Sequence, residues 1–272
     1  MTLESALVAG RFVHFASAMP AFGAALFPLY TGVEARFAMR LVATAALLSG
    51  VAWFACTLVN VAGDPATGFS TDEILLVLFK TGFGQAWLVH LALGAVLLAT
   101  TLTRWRMATI LAATLNLLSL AGIGHAAMGG RFGLAHLVGH MAHLCAGGVW
   151  LGALIPLLRA LGRSDGVEQK RLIGRFSEVG YGAVAAVVVT GVLNVWFITG
   201  AFLPMPSSTY GQLLFLKLGL VGLLLCIALF NQFYATRQAR WLLVRRGIVV
   251  ELFIFVGILV AVSFLGVTPP MS

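Results

Sequence analysis

What most limits this chain is the recurrence of uninterrupted apolar runs about as long as a membrane is thick. A hydrocarbon core about 30 Å deep is crossed by roughly 20 residues of helix, and the sequence supplies that length repeatedly. The runs and their breakers predict spans at roughly Leu7–Tyr30, Met39–Val61, Phe83–Leu102, Met107–Ala127, Leu134–Leu158, Val179–Phe202, Tyr210–Phe233 and Ile248–Val267. Of the 272 residues, 60% are hydrophobic and 10% charged, against roughly 25% charged in soluble domains, so a water-soluble globule is excluded. The expected fold is an all-α integral membrane protein of about eight transmembrane helices, one membrane domain over residues 1–272 with no soluble domain left over. The amino terminus has no basic stretch ahead of its first span, which is therefore expected to remain as an anchor.

A net charge of +8 has its simplest meaning in orientation. Arg36, Arg40, Arg104, Arg106, Arg159, Arg163, Lys170, Arg171, Arg175, Arg237, Arg240, Arg245 and Arg246 all fall in the connections after the first, third, fifth and seventh spans, 13 of the 17 basic residues. The positive-inside rule then puts both termini outside the cytoplasm, which in a bacterium is the periplasm. Nucleic acid is not an expected partner; the bilayer is. Cys56, Cys145 and Cys226 sit in separate apolar segments without CxxC spacing, so neither a disulfide framework nor a thiolate zinc site is indicated.

The two halves resemble each other. FGQAWLVHLAL from Phe83 aligns without a gap with YGQLLFLKLGL from Tyr210, so that His90 corresponds to Lys217. His14 precedes Gly23 by the same nine residues that separate His143 from Gly152, and a proline follows in each case, Pro28 or Pro156. Arg36-Phe37 and Arg175-Phe176 open matching spans that later carry Gly50 and Gly191. Two tandem four-helix repeats, over residues 1–130 and 131–272, are expected. Four spans return the chain to its starting side, so the repeats are parallel, related by an axis along the membrane normal.

All six histidines, His14, His90, His125, His136, His140 and His143, fall in the outer half of their spans or beside it. Polar groups in lipid are costly and usually face the bundle interior or a cavity, which makes a one-sided set a site. His136, His140 and His143 follow the spacing i, i+4, i+7 on one helical face. Imidazole suits copper, zinc, iron and nickel, and thioethers favour Cu(I). Met128, three residues after His125, therefore tilts the set toward copper, as Cu(I) or Cu(II). The expected metal ligands are His14, His90, His143, His140, His136, His125 and Met128. The repeat singles out His14 and His143 to share one ion, with His90 as third ligand, while the shallower His136, His140 and His125 with Met128 form an outer funnel. Toward the cytoplasm, Glu178 and Glu251 lie near Arg175 and Arg246 and read as interfacial ion pairs or helix-dipole partners.

HLVGHMAHLCAGGVWLGALIPLL from His136, RFSEVGYG from Arg175, YGQLLFLKLGL from Tyr210 and the closing Glu251 helix with Thr268-Pro269-Pro270 together resemble the copper resistance protein D family (CopD, PcoD). Its most specific part is the pattern on His143, Ala146, Trp150, Gly152 and Leu154. The resemblance implies a bacterial inner-membrane protein that brings copper across the membrane in company with a periplasmic CopC-like copper carrier. No Walker motif, phosphorylatable Asp loop or nucleotide domain appears, so a transporter not driven by ATP, and not an enzyme, is expected. Two other functions fit the same residues: a b-type cytochrome holding haem b between His14 and His143 or between His90 and His125, and a copper-binding membrane sensor without transport. The basic asymmetry generates a direct test: alkaline phosphatase fused after Ser272 is expected to be active, and an inactive fusion would reverse the orientation.

Overall fold

A computed structural model describes residues 2–34, 36–123, 133–202 and 206–269. Among them are ten α-helices and no strand: α1 (Leu3–Thr31), α2 (Arg36–Ala62), α3 (Pro65–Gly68), α4 (Thr71–Lys80), α5 (Gly82–Thr101), α6 (Arg106–Ser119), α7 (Gly133–Leu161), α8 (Gly166–Thr199), α9 (Thr209–Phe230) and α10 (Trp241–Leu265). Seven of the eight expected spans are long and apolar enough to cross a membrane: α1, α2, α5, α7, α8, α9 with its extension to Ala235, and α10. The fourth is a shorter apolar helix, Arg106–Gly122, whose last turn is 3-10. The sequence run continues to Ala127, outside the described residues.

Differences from the expected spans arise where polar residues carry helix into water. α8 starts at Gly166, well before Val179, because Asp165 accepts the Glu168 backbone N–H and caps it. Salt bridges from Arg171 to Glu168 and from Arg175 to Glu178 then line the extension. α4, too short for any span, is built the same way: Ser70 caps it by accepting from Glu73 N at 3.3 Å, and Asp72 and Glu73 complement its dipole. It buries Val77 and folds back on α5 so closely that a Cβ on Gly84 would lie 1.9 Å from the Val77 carbonyl oxygen.

α1 is the central helix, packing on α2, α6, α7 and α10. Its crossing with α7 pairs two glycines: a Cβ on Gly23 would meet the Gly148 carbonyl oxygen at 2.2 Å, and one on Gly152 would meet Gly23 Cα at 2.6 Å. Between helices in lipid there is no hydrophobic driving force, so small residues that admit backbone-to-backbone contact supply the attraction. These are the glycines that follow His14 and His143 at equal spacing. At the arginine-rich ends, Arg171 donates to the Thr31 carbonyl at the end of α1, Arg40 donates to the Thr101 carbonyl at the end of α5, and Arg106 pairs with Glu34.

Overpacking a close crossing costs about 1–3 kcal/mol, and more where backbone must separate. Gly152→Leu is therefore expected to lower the thermal midpoint in detergent by many degrees. Gly219→Ala, at a position with nothing within 4 Å of the added carbon, is expected to leave it unchanged; equal midpoints for the two variants would contradict the crossing.

Candidate metal centre

Four hydroxyl-bearing or imidazole side chains from four helices meet in the first half of the chain. His14 on α1 and His90 on α5, each 1% exposed, face one another with their Nε2 atoms 2.9 Å apart. His14 Nδ1 lies 3.1 Å from Ser49 Oγ on α2, and His90 Nδ1 lies 2.7 Å from Ser119 Oγ at the end of α6. Both serines give their hydrogens to carbonyls one turn back, Ser49 to Ala46 at 3.1 Å and Ser119 to Asn116 at 2.7 Å, as hydroxyls in apolar helices do. With each serine oxygen accepting from an imidazole Nδ1–H, each Nε2 presents its lone pair to the other ring; with one ring in the other tautomer, the contact is an Nε2–H···Nε2 hydrogen bond.

Two lone pairs at that distance repel unless a cation lies between them. A proton satisfies the geometry, and so does a metal. With metal–nitrogen bonds of about 2 Å, a 2.9 Å separation corresponds to a ligand–metal–ligand angle of about 90°, as in tetragonal coordination. A tetrahedral angle needs about 3.3 Å and a linear two-coordinate ion about 4 Å by the same bond length. A hydrogen bond at the other ring nitrogen is also what orients histidines that bind metals. Space for the pair comes from Gly50, whose added Cβ would stand 3.2 Å from His14 Cε1. Trp53 and Trp87 wall it, at ring distances of 5.6 Å from His14 and 5.7 Å from His90. Asn116 Nδ2 donates to the His90 carbonyl at 3.1 Å, the helix-joining role expected of a deep amide.

The second half repeats this frame with one exchange. His143 Nδ1 lies 2.9 Å from Thr190 Oγ1, which gives its hydrogen to the Ala186 carbonyl. Gly191 leaves room for the ring as Gly50 does, at 3.5 Å from Cε1. The counterpart of His90 is Lys217, so His143 Nε2 has no facing imidazole from α9. His143, His136, His140, Lys217 and Arg11 instead line a cavity of about 220 Å³ among α1, α7, α8, α9 and α10. His136 and His140 have ring centroids 6.5 Å apart, and His136 stacks on Phe197.

Of the seven expected ligands, the structure thus brings His14 and His90 into contact and gathers His136, His140 and His143 around a separate cavity. His125 and Met128 lie outside the described residues. Among the described residues no three of His, Cys, Asp and Glu come close enough to hold one ion, so His143 stands apart from the His14–His90 contact. The three cysteines are free. The 2.9 Å between His14 and His90 is also shorter than the roughly 4 Å that two axial nitrogens span across a metal at about 2 Å each.

One residue was read differently from sequence. Glu178 does pair with Arg175, at 3.2 Å, but Glu251 is only 3% exposed and accepts from Asn231 Nδ2 at 2.8 Å. It lines a second cavity, of about 110 Å³, with Ser177, Tyr181 and Gln232. Asn231 opens a π-helical turn, Asn231–Ala235, at the end of α9, a distortion frequent at functional sites. Nearness to Arg246 in sequence concealed this, because Glu251 faces the bundle while the arginines crowd the interface. Trp150 lines both cavities and stands between the histidine-lined space and Glu251.

Comparison with known proteins places these features in a family. The profile described as copper resistance protein D-like, N-terminal domain, matches residues 1–137, and that described as copper resistance protein D matches residues 170–265. The chain is 32% identical to "Inner membrane protein YebZ" of Escherichia coli (strain K12), over 86% of this chain and 85% of that protein. It is 32% identical to "Copper resistance protein D" of Pseudomonas syringae pv. tomato, over 83% and 81%. With "Copper transport protein CutJ" of Bacillus subtilis (strain 168) it shares 26% identity, over 76% of this chain and 40% of that protein. No solved structure matches.

Outer hydrogen bonds to ligating histidines are typically worth 10- to 100-fold in metal affinity. Ser119→Ala, which frees the His90 ring, is expected to weaken copper binding by that factor in a chelator-competition titration. Thr190→Val, acting on a histidine without a facing imidazole, is expected to change it less than threefold; equal effects would remove the distinction between the two halves.

Proposed function

Because the chain belongs to the copper resistance protein D family, we propose that it carries copper between periplasm and cytoplasm across the bacterial inner membrane, with the His14–His90 pair holding the ion in transit. The observation that supports this most strongly is the pair of Nε2 atoms facing each other at 2.9 Å inside the bundle. Serine contacts at both Nδ1 atoms leave both Nε2 atoms directed at one point, where a cation can be shared. Two nitrogens alone leave the ion's remaining coordination positions open to the next donor. A site that passes copper on needs that openness, whereas a storage site would close it.

Copper is cargo in this reading, and no catalytic step is assigned. The relative named an inner membrane protein and the one named a copper transport protein support the location and the direction of the argument. The basic asymmetry supports periplasmic termini, which puts the histidines on the side where a CopC-like carrier would deliver. His136, His140 and His143, with His125 and Met128, serve in this scheme as the outer funnel from which copper reaches the pair. Two parallel four-helix repeats explain why a histidine, a hydroxyl and a glycine recur in the same relation in each half.

Uptake of copper into proteoliposomes tests the proposal. His14→Ala and His90→Ala are each expected to lower copper affinity at least 100-fold and abolish uptake. His136→Ala with His140→Ala is expected to slow uptake several-fold while equilibrium binding holds. Binding without uptake in the unmodified protein would leave a copper sensor. A Soret band from copper-free purified protein would replace the reading by a b-type cytochrome.

A further inference from the structure

The large outer cavity carries two cations that nothing balances. Arg11 reaches it from α1 with its guanidinium 4.9 Å from the Trp53 ring and 5.8 Å from that of Phe15, and its Nε is buried without a hydrogen-bond partner. Lys217 projects from α9, and among the described residues no aspartate or glutamate lines the space. Neither cation has a salt bridge among the described residues. The Asn194 amide oxygen in the same cavity is likewise buried and unpartnered. A cation at membrane depth is costly unless it is paired or reaches water, so two of them on one cavity call for an anionic partner.

The flanking helices say where the missing anion comes from. α8 packs on α7 and α9 packs on α10, whereas α8 and α9 scarcely meet. A small cluster of Val195, Tyr210 and Leu214 joins them. The cavity between them therefore faces hydrocarbon sideways, and its walls are largely aliphatic, among them Val187, Val221 and Val262. A soluble anion would have to leave water for such a place; an amphiphile already in the bilayer would not.

We propose that this cavity binds the head group of an anionic phospholipid entering laterally between α8 and α9, with its phosphate on Arg11 and Lys217 and its acyl chains along the aliphatic walls. Guanidinium and ammonium groups both bind phosphate, Arg by its fork and Lys as a point charge, and basic pockets between transmembrane helices are known lipid head-group sites. The inference uses residues other than the His14–His90 pair and stands whether or not copper is transported.

Native mass spectrometry of the full chain in neutral detergent, with phosphatidylglycerol or phosphatidylcholine of identical acyl chains, tests it. The unmodified protein is expected to retain phosphatidylglycerol at least tenfold better. Arg11→Gln combined with Lys217→Gln is expected to bring the two lipids within twofold, and Arg11→Lys with Lys217→Arg to keep most of the preference, which separates charge recognition from misfolding. No preference in the unmodified protein, a preference untouched by the Gln pair, or displacement of the lipid by equimolar inorganic phosphate would overturn the proposal.

Discussion

A hydroxyl on a helix in lipid has one carbonyl to give its hydrogen to, the one a turn behind it. That local constraint organises the centre of this protein. Ser49, Ser119 and Thr190 all make this backbone bond, and each is left with an oxygen that accepts from an imidazole Nδ1–H. These contacts fix the ring orientations, with the Nε2 atoms on the side away from the hydroxyls. Where two such rings meet, as at His14 and His90, two Nε2 atoms face each other; where one stands alone, as at His143, the ring faces a cavity.

The difference between the halves rests on few changes within a common frame. His14 and His143 sit on helices that cross at Gly23 and Gly152, and Gly50 and Gly191 make equal room for their rings. The position opposite differs: an imidazole from α5 faces His14, while the Lys217 side chain of α9 shares the cavity of His143 with Arg11. Trp150 separates that cavity from the buried Glu251.

Much of this was legible in the sequence, because lipid imposes a simple length rule and because the repeat is carried by residues that matter. The spans α1, α2, α5, α7, α9 and α10 follow from apolar runs, and the match of His90 with Lys217 pointed to unequal halves. The pairing of His14 with His90 was less accessible. Equal depth admitted His143 as well, and only helix packing decides which ring faces which. Ser49 and Ser119 gave no signal, since an isolated serine in an apolar run reads as a tolerated polar residue. Glu251 and α4 were missed for opposite reasons: one was explained away by neighbouring arginines, and the other was too short and too amphipathic for a rule built on twenty apolar residues.

The claim on which the account turns is that two imidazoles inside the bundle, His14 and His90, hold copper directly. X-ray absorption at the copper edge, on protein loaded with one equivalent, measures this. The account predicts a first shell containing two nitrogens at about 2 Å, with the outer-shell scattering of imidazole, that disappears in the His14→Ala, His90→Ala double variant. A shell made only of sulfur, or a nitrogen shell unchanged in that variant, would contradict it.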